Sequence, residues 1–358
     1  MSDSLKTTLY NHHDKLGAKL VPFAGFLMPL QYTGIIDEHK HVRSKVGLFD
    51  VSHMGEFIVS GQNAKKFLQH VTINDIEALK PGKAQYSAFC NESGGILDDL
   101  LIYDLSDHYM LVVNASNIQK NFNWLKKRLL DNVVLKDVSN EMGLLALQGP
   151  MARDVLKDFF PHIESLKYYE TLMPDSDGTI VARTGYSGEL GFEIYISNDK
   201  IIDLWNKLLS TSDYIRPVGL GCRDSLRLEM GYCLYGHELD ESINPLEAGL
   251  SWITKLDTNF IGSESLSNIK KEKKLLPLVL KDRAIPRADY KIFDDKDKEI
   301  GFITSGTMSP SLGYGIALAY IDLPYANDLN SFNVKIRNNT FTMEKAKLPF
   351  YKDGTYLK

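Results

Sequence analysis

The run Asn91-Glu92-Ser93-Gly94-Gly95-Ile96-Leu97-Asp98-Asp99-Leu100 constrains the fold more than any other stretch. Two glycines allow a sharp turn, because glycine alone takes positive φ without steric cost. Two adjacent carboxylates then sit inside an apolar strand, Ile96 to Tyr103. Neighbouring side chains on a strand point to opposite faces. One aspartate can therefore face solvent while the other is held in largely apolar surroundings. Burying a charge without a partner is unfavourable, so such a carboxylate marks a candidate site. The alternative is a pair at a wet edge or a turn cap.

Around this run the pattern reads as an antiparallel meander. Its strands are Gln85 to Cys90, Ile96 to Tyr103 and Tyr109 to Asn114. Helical spacing flanks it at Ala64 to Val71 and Asn117 to Leu130. Ahead of it, Phe23 to Leu30 is apolar but broken by Gly and Pro, and reads as a packed loop or short edge strand. Ile35 to Val46 is rich in charge and reads as a surface-facing helix.

A second set follows. Gly143 to Gly149 is a buried strand, and Pro150 is expected to open a helix to about Phe160. Strands at Thr179 to Arg183 and Gly191 to Ile196 precede helices at Lys200 to Leu209 and Arg223 to Met230. This order suggests α+β units and not a doubly wound parallel sheet. Ser265 to Lys274 reads as a lysine-rich helical linker. Leu275 to Lys358 then has short strands and regular turn signals, the pattern of a small β-barrel or sandwich.

The 358 residues suit two or three domains. A net charge of -5 offers no basic stripe, so nucleic acid is not an expected partner. No apolar run approaches the roughly 20 residues of a membrane helix. Met1 to Thr8 does not resemble a signal or transit peptide, and three cysteines without metal-ligand spacing suit a reducing cytoplasm. No metal site is expected: His12, His13, His39 and His41 read as surface residues without a carboxylate at ligand spacing.

Several segments, taken in order, resemble one family. They are Phe49-Asp50-Val51-Ser52-His53-Met54, Gly94-Gly95-Ile96-Leu97-Asp98-Asp99, Leu147-Gln148-Gly149-Pro150, Thr184-Gly185-Tyr186-Ser187-Gly188-Glu189, Gly219 to Glu229, and Thr304-Ser305-Gly306 with Ser309-Pro310. Together they resemble the aminomethyltransferases, the T proteins of the glycine cleavage system. The resemblance implies an α+β, three-domain folate-binding fold arranged like a cloverleaf around a central channel, with a C-terminal small β-barrel. It implies a folate-binding region over 1–274, in two subdomains (about 1–52 with 140–274, and 53–139), and a barrel over 275–358. It also implies tetrahydrofolate as co-substrate and lipoylated H protein as partner. The aminomethyl carbon would pass to tetrahydrofolate, with ammonia released and 5,10-methylenetetrahydrofolate formed.

The resemblance gives Asp99 the catalytic role, and Asp98, on the opposite strand face, reads as structural. It places Glu193 on the pterin, where a carboxylate can accept two hydrogen bonds. Arg223 would contact the folate, the bland alternative being an ion-pair network with Asp224 and Glu229. Tyr86, Asn114 and Tyr186 match positions near the folate, each of which can also be simple packing. Met54 would form pocket wall, and Tyr356 is the weakest correspondence, in the tail. Basic side chains at Lys40, Arg43 and Lys45, and at Lys120, Lys126 and Lys127, would offer footing for an acidic carrier. Rival readings are a related tetrahydrofolate-dependent demethylase and a non-enzymatic folate-binding iron–sulfur assembly factor. Relatives of the latter kind carry a cysteine motif, whereas Thr184 to Glu189 has no cysteine.

Overall fold

The computed structural model describes residues 4–174 and 178–358. The first three residues of the stretch read for a leader therefore lie outside it. Three large sheets organise the described residues, beside a two-stranded hairpin. The first has five strands in the order Lys83–Cys90, Ile96–Asp104, His108–Val113, Gly55–Ser60, Val134–Asp137, all antiparallel. The meander expected from the sequence forms its first three strands. Helices Ala64–Val71 and Ile118–Lys126 pack on one face through Phe67, Leu68 and Leu125.

The second sheet has six strands, with Met142–Gln148 between Gly191–Ser197 and Val46–Asp50. Its one parallel pair joins Ile215–Pro217 to Val46–Asp50. Helix Ile201–Thr211 covers it with Leu204, Trp205 and Leu208. A separate apolar cluster, with Tyr103 from the first sheet and Ala146 and Tyr195 from the second, joins the two. The third sheet is a closed six-stranded barrel from Lys273–Leu280 to Asn339–Lys345. The α+β class and the C-terminal barrel agree with the sequence reading.

Several local expectations are corrected. Of the two readings of Phe23 to Leu30 the edge strand holds and the packed loop does not: Phe26–Gln31 pairs with Lys19–Phe23 in a two-stranded hairpin. The helix after Pro150 is only Ala152–Leu156. The linker helix is short, Ser263–Asn268, and Leu266 is buried against Gly94. Helix Leu220–Met230 starts three residues before Arg223. Its N-terminus is fixed by Glu38, which accepts from the backbone N–H of Gly219 at 2.8 Å.

The largest correction concerns helix Ile35–Ser44, which is not surface-facing. Glu38, His39, His41 and Val42 are buried. Arg43 is also withdrawn from solvent: it pairs with Glu189 and Glu229, each at 2.8 Å. His13 is buried as well and bonds Asp50 at 2.8 Å. These histidines read as surface residues because a polar helix face looks the same whether it meets water or a buried acid or carbonyl.

The glycine pair divides its work. Only Gly94 takes positive φ, at 88°. At Gly95 a Cβ would stand 1.9 Å from the Glu241 carbonyl oxygen. One glycine makes the turn, and the other admits a neighbouring backbone.

Candidate active site

The three sheets meet around one cavity of about 1100 Å³. The five-stranded sheet contributes Tyr86 and Asp99, the six-stranded sheet Glu193 and Tyr195, and the barrel Leu275 and Leu318. Met54, Asn114, Tyr186 and Arg223 also line it. The sequence alone could not bring these positions together, because they belong to three different sheets and their connections.

Asp99 is half-buried and faces this space. Tyr86 donates its hydroxyl to Asp99 Oδ2 at 2.9 Å. The Asn114 amide donates to Asp99 Oδ1 at 2.8 Å. Burial pushes the Asp99 carboxyl above the ordinary range, while these two donors pull it back. Asp98 projects the other way and is fully buried. Its surroundings are amides and not the apolar wall expected of a buried strand carboxylate. Asn114, Asn117 and Asn121 all donate to it.

Glu193 is buried at the cavity wall. Thr184 donates to its Oε2 at 2.5 Å, and Tyr103 does so at 3.4 Å. Among the described residues nothing bonds Oε1. One carboxylate oxygen is anchored and the other is available to a ligand. Arg223 lies over the Tyr186 ring, 4.8 Å from its centroid. The Tyr186 hydroxyl donates to the Cys233 carbonyl, and its ring stacks on Tyr232. Arg223 makes no ion pair among the described residues. The pairing considered for it belongs instead to Arg227, with Asp224 at 2.8 Å and Glu238 at 2.9 Å. Glu229 pairs with Arg43.

Tyr356 stands apart from this group. Its ring does not line the cavity but packs on Tyr168, which does, at 5.6 Å. His53 is a lining residue whose role the sequence did not define. Burial pushes its imidazole down to about 4, so it is neutral near pH 7. Trp252, exposed and stacked on Tyr86, was also missed. The asparagines around Asp98 gave a faint signal: Asn117 and Asn121 are four apart, the spacing of one helix face. No group of His, Cys, Asp and Glu among the described residues could hold a metal ion. No helix there is long and apolar enough to cross a membrane.

Residues 9–258 match the GCVT N-terminal domain, and residues 273–352 match the glycine cleavage T-protein C-terminal barrel domain. The chain belongs to the aminomethyltransferase family of the glycine cleavage system. Curated members of this family align nearly end to end. The aminomethyltransferase of Flavobacterium psychrophilum is 46% identical over 97% of this chain and 99% of its own length. That of Chloroherpeton thalassium is 48% identical over 96% and 98%. The crystal structure of the glycine cleavage system aminomethyltransferase T from Bartonella henselae superposes with a TM-score of 0.93, at 35% identity over 99% of both chains. Family membership therefore rests on sequence and on the whole three-sheet architecture.

Proposed function

We propose that the cavity takes tetrahydrofolate and the lipoyl arm of H protein together, and that Asp99 serves the transfer between them. One observation carries this reading: a carboxylate with a free oxygen, Glu193, and a second carboxylate, Asp99, line one large cavity from different sheets. The volume of about 1100 Å³ exceeds what one drug-sized ligand commonly needs, so it suits a ligand plus an arm.

The reaction breaks the C–S and C–N bonds of the aminomethyl carbon and forms bonds from that carbon to N5 and N10 of the folate. The two nitrogen protons end on the sulfur and the departing ammonia. Glu193 would hold the pterin through its free Oε1, since a charge-assisted bond to ring N–H groups gives orientation as well as affinity. Arg223 would add a cation beside it. Asp99 would stabilise the iminium-like carbon by charge and accept or relay a proton. Tyr86 and Asn114 fix the orientation of its carboxylate. Three unpaired thiols suit work in a reducing cytoplasm.

The test is ammonia release from aminomethylated H protein. Release that requires tetrahydrofolate is the expected result. No release with both substrates present would overturn the proposal.

A further inference from the structure

We propose that Asp98 is a positioning residue for Asp99, acting through the side chain of Asn114; this rests on the reading of Asp99 given above. The Asn114 amide nitrogen donates to Asp98 Oδ1 and to Asp99 Oδ1, each at 2.8 Å. A carboxamide has only two N–H groups, so these two bonds use both, and the 3.2 Å approach of the same nitrogen to the Asp99 backbone carbonyl shares one of them. The amide is thereby fixed with its nitrogen toward the carboxylates. No described residue bonds the side-chain Oδ1 of Asn114, and Asn114 lines the cavity. Asp98 and Asp99 together thus determine which end of Asn114 a ligand meets.

Asp98 itself is held from every side. The Asn114 backbone N–H donates to Oδ2 at 3.1 Å, Asn117 to Oδ1 at 2.7 Å and Asn121 to Oδ2 at 2.5 Å. With the Asn114 amide, four N–H donors surround one carboxylate. Asp98 does not line the cavity, so it cannot touch the reacting atoms. An amide here would also present donors, and the Asn114 side chain could then reverse.

The second influence is electrostatic. Asp98 and Asp99 are adjacent like charges, and burial raises both carboxyls. The other groups acting on Asp99 are Tyr86 from the neighbouring strand, Asn114 and Glu238. Tyr186 and Cys233 also feel its charge. Tyr235 feels that of Asp98. Reversal of Asn114 would take from Asp99 a donor that holds its carboxyl down, so the Asp99 carboxyl should titrate at higher pH.

The experiment compares Asp98→Asn with wild type. In the ligand-free protein, carboxyl carbon-13 titration should move the Asp99 transition to higher pH. With substrates, kcat should fall roughly ten- to hundredfold, the scale of misplacing a reacting group. The acidic limb of kcat should shift in the same direction as the carbon-13 titration. Tetrahydrofolate affinity should change less than kcat. Asn121→Ala, which leaves the Asn114 bridge intact, should produce a smaller shift of the same sign and serves if Asp98→Asn does not fold. A folded Asp98→Asn protein with lower Tm but unmoved Asp99 titration and kcat would overturn the proposal. Wild-type protein that releases no ammonia would instead overturn the function on which it rests.

Discussion

The Thr184 hydroxyl donates to Oε2 of Glu193 at 2.5 Å. That bond takes one lone pair from a buried carboxylate and leaves Oε1 for a ligand. If Glu193 holds the pterin, Glu193→Ala should weaken tetrahydrofolate binding by about 1–3 kcal/mol, because buried donors of the ligand would go unpaired. Thr184→Val should weaken it less, and Thr184→Ser should restore it. Titration calorimetry measures all three; equal affinity for wild type and Glu193→Ala would place the pterin elsewhere.

Asp99→Asn keeps the shape of the side chain and removes its charge. Turnover should fall by about 10²–10⁴-fold, the usual range for acid–base and electrostatic assistance. Folate affinity should be nearly kept. Single-turnover ammonia release would separate the two effects, and wild-type turnover would remove Asp99 from the chemistry.

Acid should unlock the contact between the helices and the barrel through Glu229. This buried carboxylate accepts from His39, Arg43 and Ser309, and from the Ser311 hydroxyl and backbone. These donors outweigh the cost of burial and hold its pKa at about 2, against an ordinary 4.5. A depressed folded value means the stabilisation is complete above pH 4.5 and is lost as pH falls toward about 2. The gap corresponds to about 3 kcal/mol. Glu229→Gln should lower Tm at pH 7 and flatten the acid dependence of Tm in that window. An unchanged acid profile would show that another group controls it.

The carrier surface can be tested by salt. Arg43 is withdrawn into ion pairs, and Lys120 is engaged by Tyr235 and Glu241. Lys126, Lys127 and Lys40 remain exposed. Charge reversal at Lys126 and Lys127 should raise KM for aminomethylated H protein with kcat little changed, and added salt should do the same to wild type. A carrier KM that does not move with ionic strength would exclude electrostatic docking on these helices.

Much of this architecture is legible in the chain. The meander from Lys83 to Val113, the helix Ala64–Val71 and the C-terminal barrel all follow from local rules of alternation, helical spacing and turn residues. The order of six short motifs pointed to the family. Local pattern also singled out Asp98 and Asp99 as a pair, because two carboxylates inside an apolar strand are costly unless they have partners.

Only the tertiary structure decided how that pair divides. Alternation puts the two side chains on opposite faces, but it cannot say which face becomes a cavity and which becomes a cage of amides. That choice is made by Asn114, Asn117 and Asn121, brought to Asp98 from beyond the next strand. The same limit hid the burial of His13, His39 and Arg43, whose acids lie 37, 190 and 186 residues away in Asp50, Glu229 and Glu229. The reason is physical: a strand's period and a turn's glycine act over a few neighbours, so the sequence determines them directly. The burial and pairing of a charge depend on which distant segments close over it, and three sheets must pack before those partners exist.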